Sequence, residues 1–136
     1  MYAKRMISMP NNIKVLVVDD SNTIRRSAEI LLSDSSYKVI TATDGFDAMS
    51  KIVDNQPDII FIDIVMPRVD GYCACRMIKK NPLFFMTPVI MLSSKDGVFD
   101  KAKGYMAGSE EYLTKPFTKE ALLTTIQRYT LRLNNR

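Results

Sequence analysis

Histidine is absent from this sequence of 136 residues. Its absence removes the commonest metal ligand and the commonest general acid or base of enzymes. Any chemistry that the chain performs must therefore use carboxylates, hydroxyls, lysine or thiols.

Cysteine and long apolar runs are scarce. Cys73 and Cys75 are the two cysteines, and their spacing in a helical stretch places them about 200° apart around the helix, too far apart to form one site. Residues 1–12 lack the apolar run of a signal peptide, and no stretch of about 20 apolar residues is present to span a membrane. We therefore expect a cytoplasmic protein without membrane insertion.

A large excess of one charge is also missing. The 19 lysines and arginines and the 15 acids give a formal net charge of +4, and 46% of the residues are hydrophobic. These values are typical of an ordinary soluble domain and do not predict nucleic-acid binding. The length fits one domain.

Short apolar runs mark the candidate strands. Residues 15–18, 59–62 and 89–92 are continuous, rich in β-branched side chains and too short for helices. This pattern predicts strands that are covered on both faces of a parallel sheet. Two weaker candidates lie at 37–41 and 111–113, and the spacing leaves room for one helix between successive strands.

Helical periodicity fills the segments between these runs. Ser21 or Asn22 can cap a helix after the first strand, and Asp44 precedes the next helix. Further helices are predicted after Gly71, at about 98–105, and after Thr118. We therefore predict a doubly wound α/β fold of the (βα)₅ type, with five parallel strands in one sheet.

Polar side chains end four of the predicted strands. Asp19 and Asp20 follow the first strand, and Asp63 ends the third. Ser93 ends the fourth strand, and Lys115 follows the fifth. Because ligands of open parallel sheets bind at the carboxyl ends of the strands, we expect these groups to form one site.

The predicted carboxylate cluster needs a compensating charge, because three carboxylates at close range repel each other. A hard divalent cation supplies it, and oxygen ligands without a dedicated calcium loop favour Mg²⁺. A magnesium ion beside a lysine ammonium forms a pocket for a dianion such as a phosphoryl group. Phosphoryl transfer depends mainly on positioning and charge neutralisation, so Asp63 is the candidate nucleophile that forms an aspartyl phosphate.

Each of these residues also has a simpler interpretation when it is taken alone. Asp19 and Asp20 can cap the first helix, Ser93 can be a turn residue, and Lys115 can be a surface charge. Their common position at the ends of four strands favours a site over coincidence.

Two other functions remain open on the residues alone. A small Mg²⁺-dependent phosphohydrolase would share the aspartyl phosphate, but Val65 stands where a second acid would assist a leaving group. A flavodoxin-like cofactor binder would share the sheet, but the acidic pair Asp19 and Asp20 would repel its phosphate.

Four motifs occur in an order that is typical of one family. They are residues 17–21 (VVDDS), 63–71 (DIVMPRVDG), 91–94 (MLSS) and 114–117 (TKPF). With them the sequence resembles the receiver domain of two-component response regulators, the family that includes the chemotaxis protein CheY. The expected receiver spans 13–133, with an N-terminal extension at 1–12 and a polar tail at 134–136.

The resemblance implies a sheet order of 2-1-3-4-5, as in flavodoxin and CheY. It implies phosphorylation of Asp63 from a phosphohistidine of a partner kinase, with Lys115 bound to a phosphoryl oxygen. The bond between Lys115 and Pro116 is expected to be cis. The implied ligands of Mg²⁺ are Asp19, Asp20, Asp63 and the backbone carbonyl of Val65.

The resemblance also implies a switch. Ser93 would be drawn to the phosphoryl oxygens, and Tyr112 would turn inward into the space that Ser93 leaves. Two states a few kcal/mol apart suffice for such a switch. The output surface would be the face of the fourth helix, the fifth strand and the fifth helix. Its predicted residues are Lys95, Phe99, Tyr112, Lys119 and Leu122.

The pathway is suggested by residues outside the phosphoryl chemistry. Residues 22–29, 43–48 and 93–104 look similar to those of PilG-type regulators of type IV pilus twitching motility. The expected partners are a histidine kinase and a downstream protein of the pilus machinery, and the alternative is a chemotaxis-type regulator of the flagellar motor. The chain would be a single-domain signalling phospho-acceptor rather than an enzyme, either a monomer or a weak dimer promoted by phosphorylation.

Overall fold

The computed structural model describes residues 13–94 and 98–134, with side chains described except at 98–99 and 132–134. Within these residues, five strands and five helices alternate. The strands are β1 (Lys14–Val18), β2 (Lys38–Ala42), β3 (Ile59–Asp63), β4 (Val89–Ser93) and β5 (Glu111–Thr114). The helices are α1 (Asn22–Leu31), α2 (Gly45–Asn55), α3 (Gly71–Lys80), α4 (Val98–Met106) and α5 (Lys119–Asn134).

All five strands pair in parallel in one sheet of order β2-β1-β3-β4-β5. Each strand lies within one residue of the bounds that the apolar runs predict. The predicted fold and the predicted strand order are both confirmed. The register pairs Val18 with Ile62, Asp63 with Leu92, and Ser93 with Thr114, so the carboxyl ends of the strands meet at one edge.

Strand side chains alternate between two hydrophobic clusters, one on each face of the sheet. Leu16 and Ile62 pack in the cluster that α2 and α3 cover. Val17 and Phe61 pack in the cluster that α1 and α5 cover. This two-sided burial explains why β1, β3 and β4 have continuous apolar sequences instead of alternating ones.

Helix starts follow the capping residues. The Ser21 hydroxyl accepts a hydrogen bond from the Ile24 amide at 3.3 Å, and Asp44 accepts one from the Asp47 amide at 2.7 Å. Ser21 is one of the two capping candidates predicted for α1, and each of the two observed caps satisfies a donor that the first helical turn leaves unpaired. Each cap therefore fixes where a helix leaves the loop that follows a strand.

No helix within the described residues is long and apolar enough to cross a membrane.

Candidate functional site

Three carboxylates meet where β1 and β3 end side by side. One carboxylate oxygen from each of Asp19, Asp20 and Asp63 lies within 4.8 Å of the other two. Asp19 is 1% exposed and Asp63 is 4% exposed, whereas Asp20 is open to solvent. The structure thus brings together the three acids predicted to form the cluster, and the open side of the cluster is the Asp20 side.

Lys115 supplies the positive charge beside the two buried acids. Its Nζ atom lies 3.1 Å from Asp19 Oδ2 and 3.1 Å from Asp63 Oδ1. The Lys115 amide donates to the carbonyl of Ser93 at 2.7 Å, and the bond between Lys115 and Pro116 is cis, as expected. The backbone of Lys115 is thus held against the end of β4, and its side chain extends past β4 to the two carboxylates.

The electrostatics of this group are unbalanced in favour of negative charge. Burial and the nearby Asp19 charge raise the pKa of Asp63 above its ordinary value, although Lys115 and the Val65 amide oppose the shift. Burial works against the charged form of Lys115, but its hydrogen bonds and charge interactions with Asp19 and Asp63 outweigh burial and raise the pKa of the lysine. One ammonium group therefore does not fully compensate the acids, and a further cation would stabilise them.

The turn after β1 is braced by α1. The Ser21 amide donates to Asp19 Oδ1 at 2.9 Å, and the Arg25 guanidinium donates to the Asp19 carbonyl at 2.6 Å. Arg25 also contacts the Asn22 side chain. Sequence reasoning missed Arg25, although its place as the fourth residue of a helix that starts beside the site is a usable signal.

The loop after β3 places Val65 at the rim of the site. The Val65 amide lies 3.4 Å from Asp63 Oδ1, and its side chain is 73% exposed. Arg68, with φ of 66°, pairs with Asp44 at 3.0 Å and so ties this loop to the start of α2. At the other end of the loop, a Cβ on Gly71 would lie 2.3 Å from the Asp63 carbonyl oxygen. The backbone around Asp63 is therefore enclosed on its α3 side.

The two predicted switch residues lie on neighbouring strands. Ser93 ends β4 and is 5% exposed. Tyr112 on β5 is 8% exposed, packs with the α2 and α3 cluster, and has Lys101 Nζ 5.7 Å from its ring centre. In this structure the tyrosine ring is therefore turned inward.

The predicted output surface needs a correction. Leu122 is 1% exposed and belongs to the core between α5 and the sheet, because the helix turns this apolar position inward; its assignment to the surface was wrong. Lys119 is partly exposed and pairs with Asp34, which follows α1, at 2.7 Å. Lys95 and the Phe99 side chain lie outside the described residues. Tyr112 is too buried to contribute much contact area in this conformation.

The donor set fits a hard cation. All three carboxylates offer oxygen, two are fixed by the fold, and the third lies at the open side of the cluster. Oxygen ligands of this kind suit Mg²⁺, Ca²⁺ or Mn²⁺ rather than softer metals. The site can thus combine a metal ion, a lysine ammonium and a carboxylate nucleophile within one small edge of the sheet.

Comparisons with known proteins agree with this geometry. Residues 15–127 match the family described as the response regulator receiver domain, and the chain belongs to that family. It is 61% identical over 122 residues to Protein PilG of Pseudomonas aeruginosa, a match that covers 90% of each protein. It is 41% identical to the alkaline phosphatase synthesis transcriptional regulatory protein PhoP of Bacillus subtilis, covering 79% of this chain and 44% of that protein.

Solved structures show the same fold. The chemotaxis protein CheY4 of Vibrio cholerae superimposes with a TM-score of 0.81 at 36% identity, over 86% of this chain and 98% of that one. The fold, the site and the family together define a signalling protein of the two-component type.

Proposed function

We propose that the chain accepts a phosphoryl group on Asp63 from the phosphohistidine of a partner kinase, and that the phosphorylated form controls a protein partner. The observation that carries this proposal is the contact of Lys115 Nζ with both Asp19 and Asp63 at 3.1 Å, next to a third carboxylate. This arrangement offers a nucleophile, a cation for a phosphoryl oxygen and ligands for a metal ion.

Mg²⁺ is the proposed metal. Asp19, Asp20, Asp63 and the backbone carbonyl of Val65 would hold it. When bound, it would neutralise charge on the carboxylates and on the transferring phosphoryl group. Burial, together with the nearby Asp19 charge, raises the pKa of Asp63, and the close approach of three carboxylates is the feature of this structure that fits a divalent cation.

The residues of the chain then have separate roles in the transfer. An oxygen of the Asp63 carboxylate forms a bond to phosphorus, the bond between phosphorus and the imidazole nitrogen of the donor breaks, and the imidazole takes a proton from solvent. Lys115 is positioned to move from the two carboxylates to a phosphoryl oxygen. The chain contains no histidine, so the histidine of the reaction belongs to the partner.

Ser93 and Tyr112 are the proposed switch residues. Ser93 ends the strand next to Asp63, and Tyr112 lies on the following strand. A hydroxyl drawn toward the phosphoryl group would change the packing around the tyrosine, and the face of α4, β5 and α5 would present the altered surface. The phosphoryl group shifts the equilibrium between the two conformations by the difference in its interaction free energy with each of them.

The proposed pathway is type IV pilus twitching motility. The 61% identity to PilG over 90% of both proteins supports this pathway over the alternative of a chemotaxis regulator, since the identity to the chemotaxis protein CheY4 is 36%. The proposed setting is the cytoplasm, with a histidine kinase upstream and a protein of the pilus machinery downstream. The chain would act as a phospho-acceptor and not as an enzyme that turns over an external substrate.

The phosphorylation is tested with acetyl phosphate as a small donor. We expect the protein to gain the mass of one phosphoryl group in the presence of Mg²⁺ and not in the presence of a chelator. The Asp63→Asn variant should gain none, and the Asp54→Asn variant, changed at an exposed acid outside the site, should behave as the parent. Phosphorylation of Asp63→Asn at the parent rate would refute the assignment.

The pathway is tested by expressing the chain in a Pseudomonas aeruginosa strain that lacks PilG. Recovery of twitching zones, with no recovery by Asp63→Ala, would support the proposal. Recovery of swimming chemotaxis in a strain without its flagellar response regulator, with no recovery of twitching, would favour the motor role instead.

A further inference from the structure

A second surface of the molecule combines exposed apolar side chains with positive charge. The loop 81–88 joins α3 to β4, and its Leu83, Phe85 and Met86 are 81%, 52% and 60% exposed. Met77 of the last α3 turns is 43% exposed. We define the α3–β4 surface as Arg76, Met77, Lys80, Leu83, Phe85 and Met86. Exposed apolar side chains that lie this close together in the sequence, three of them in one loop, are candidates for an interaction site.

The loop that carries this surface is ordered by its own contacts. Phe84 is 7% exposed and packs in the hydrophobic core, so it anchors the loop between the exposed Leu83 and Phe85. The Phe85 amide donates to the Asn81 carbonyl at 2.9 Å, and Lys79 Nζ donates to the Thr87 carbonyl at 2.8 Å. A partner would therefore meet a preorganised surface, which lowers the entropic cost of binding.

The charge of this surface has one sign. The sequence from 71 to 94 contains three cations and no acid. Lys79 pairs with Glu110 at 2.8 Å, whereas Arg76 and Lys80 are exposed and have no ion-pair partner among the residues that the structure describes. Two exposed cations without an ion-pair partner among the described residues thus belong to the helix that leads into this loop.

The surface lies away from the phosphorylation site. Loop 81–88 precedes Val89, the first residue of β4, whereas Asp63 is the last residue of β3. Because the two strands are parallel neighbours, the loop lies at the amino ends of the strands and Asp63 lies at their carboxyl ends. A partner can occupy the α3–β4 surface while a kinase approaches the acidic cluster.

We propose that the α3–β4 surface docks an acidic amphipathic segment of a partner protein, independently of the state of Asp63. Apolar groups of such a segment would cover Leu83, Phe85 and Met86, and its acids would pair with Arg76 and Lys80. Arginine, methionine and aromatic residues are the types enriched at protein interfaces, and thioethers adapt to the shape of an apolar partner.

Charge disfavours two other occupants of this surface, namely a second copy of the chain and an anionic membrane. A symmetric contact with a second copy would bring Arg76 and Lys80 of both chains together, and like charges disfavour it. Two exposed cations contribute only about 2 kcal/mol to binding an anionic membrane surface. An acidic protein segment satisfies both the cations and the apolar groups.

The test uses a synthetic helical peptide of about 18 residues, with leucines on one face, glutamates on the flanks and one tryptophan in the apolar face. The chain contains no tryptophan, so the peptide alone reports binding by the blue shift of its emission. We expect saturable binding that weakens with salt. The variants Phe85→Ser and Met86→Ser should each weaken it about tenfold or more, as at interface hot spots. Arg76→Glu combined with Lys80→Glu should abolish it.

A matched control distinguishes binding at this surface from non-specific binding of the peptide to exposed apolar side chains. Ile30 on α1 is 58% exposed, so Ile30→Ser removes an equally exposed apolar group elsewhere and should leave binding unchanged. Asp63→Asn should also bind the peptide as the parent does, so that failure here is distinguishable from failure of the phosphorylation proposal. Urea unfolding of each variant confirms that it is folded.

Three results would overturn the proposal. The first is absence of binding, and the second is equal binding of a peptide with lysines in place of the glutamates. The third is sedimentation of the protein with phosphatidylglycerol vesicles that depends on Phe85 while the acidic peptide does not bind, which would assign the surface to a lipid.

Discussion

Asp63 is the residue at which the stability of the fold conflicts with the proposed function. Burial and the Asp19 charge raise the pKa of this carboxyl in the folded protein. A carboxyl with a raised folded pKa contributes stability that is fully present below its unfolded pKa of about 3.9 and is lost as the pH rises through the folded pKa. At neutral pH without a metal ion, the ionised Asp63 therefore destabilises the fold.

We predict from this that Asp63→Asn stabilises the metal-free protein at about pH 7 by on the order of 1 kcal/mol, since it removes one buried like charge and keeps the shape. The gain should shrink as the pH is lowered toward about pH 4, the ordinary range for a carboxyl, because the parent carboxyl takes up its proton as the pH falls through its raised pKa. Urea unfolding in a chelating buffer measures both values. The exposed Asp54→Asn variant is the control, and a gain that is the same at both pH values would contradict the electrostatic explanation.

The two cysteines should differ in reactivity despite their closeness in sequence. Burial raises the pKa of the Cys75 thiol to about 11, and its side chain packs in the core, whereas Cys73 is partly exposed. Because the thiolate is the reactive form, we predict that iodoacetamide labels Cys73 of the folded protein and leaves Cys75 unlabelled until urea is added. Peptide mass spectrometry assigns the label. Equal labelling of both cysteines in the native protein would show that α3 opens more readily than its packing indicates.

At the scale of the elements, the start of α3 is pressed against the end of β3. A Cβ on Gly71 would lie 2.3 Å from the Asp63 carbonyl oxygen and 2.8 Å from the Ile64 Cα, and both are backbone atoms that cannot move aside. We predict that Gly71→Ala lowers the free energy of unfolding by about 1 to 3 kcal/mol and slows phosphorylation by acetyl phosphate, since α3 must shift and carry the Asp63 backbone with it.

Gly104 provides the matched control for this substitution. It lies within α4, and its added Cβ would be 3.3 Å from Met91 Cγ, in a flexible side chain. The helix propensity of alanine favours the change by up to about 1 kcal/mol, so Gly104→Ala should be nearly neutral and should phosphorylate normally. If both variants lose equal stability, close approach to the backbone is not the reason for glycine at 71.

The element scale also shows where sequence reasoning succeeds and where it stops. Runs such as 59–62 predict β3 because burial on both faces leaves an unbroken apolar sequence. Residues 83–86 form another apolar run, yet only Phe84 is buried while its three neighbours face solvent. Periodicity cannot distinguish these cases, because the loop obtains its orientation from hydrogen bonds to Asn81 and Lys79 rather than from a repeating pattern.

The residues of the site also divide into those that the sequence can place and those that it cannot. Asp19, Asp63 and Lys115 can be brought together from strand order alone, because parallel strands share one edge. The burial of Leu122 depends instead on the rotation of α5 about its axis, and a shift of one residue there is enough to turn a side chain from the surface to the core. Helix phase is thus the weakest part of a surface prediction.

On the scale of the whole molecule, a chain of net charge +4 concentrates three acids at one edge of its sheet. The repulsion at that edge is local, so a cation bound there stabilises the entire fold by mass action. At a Mg²⁺ concentration about ten times the dissociation constant, the gain is about 1.4 kcal/mol, or about 4 to 6 °C in the thermal midpoint of a domain of this size.

Scanning calorimetry with Mg²⁺ and then with a chelator should show a reversible shift of the thermal midpoint. Asp20→Asn should remove the shift, because Asp20 is the exposed member of the proposed ligand set and its loss leaves the core intact, whereas Asp54→Asn should keep it. A Mg²⁺ shift that survives in Asp20→Asn would place the ion elsewhere on the molecule.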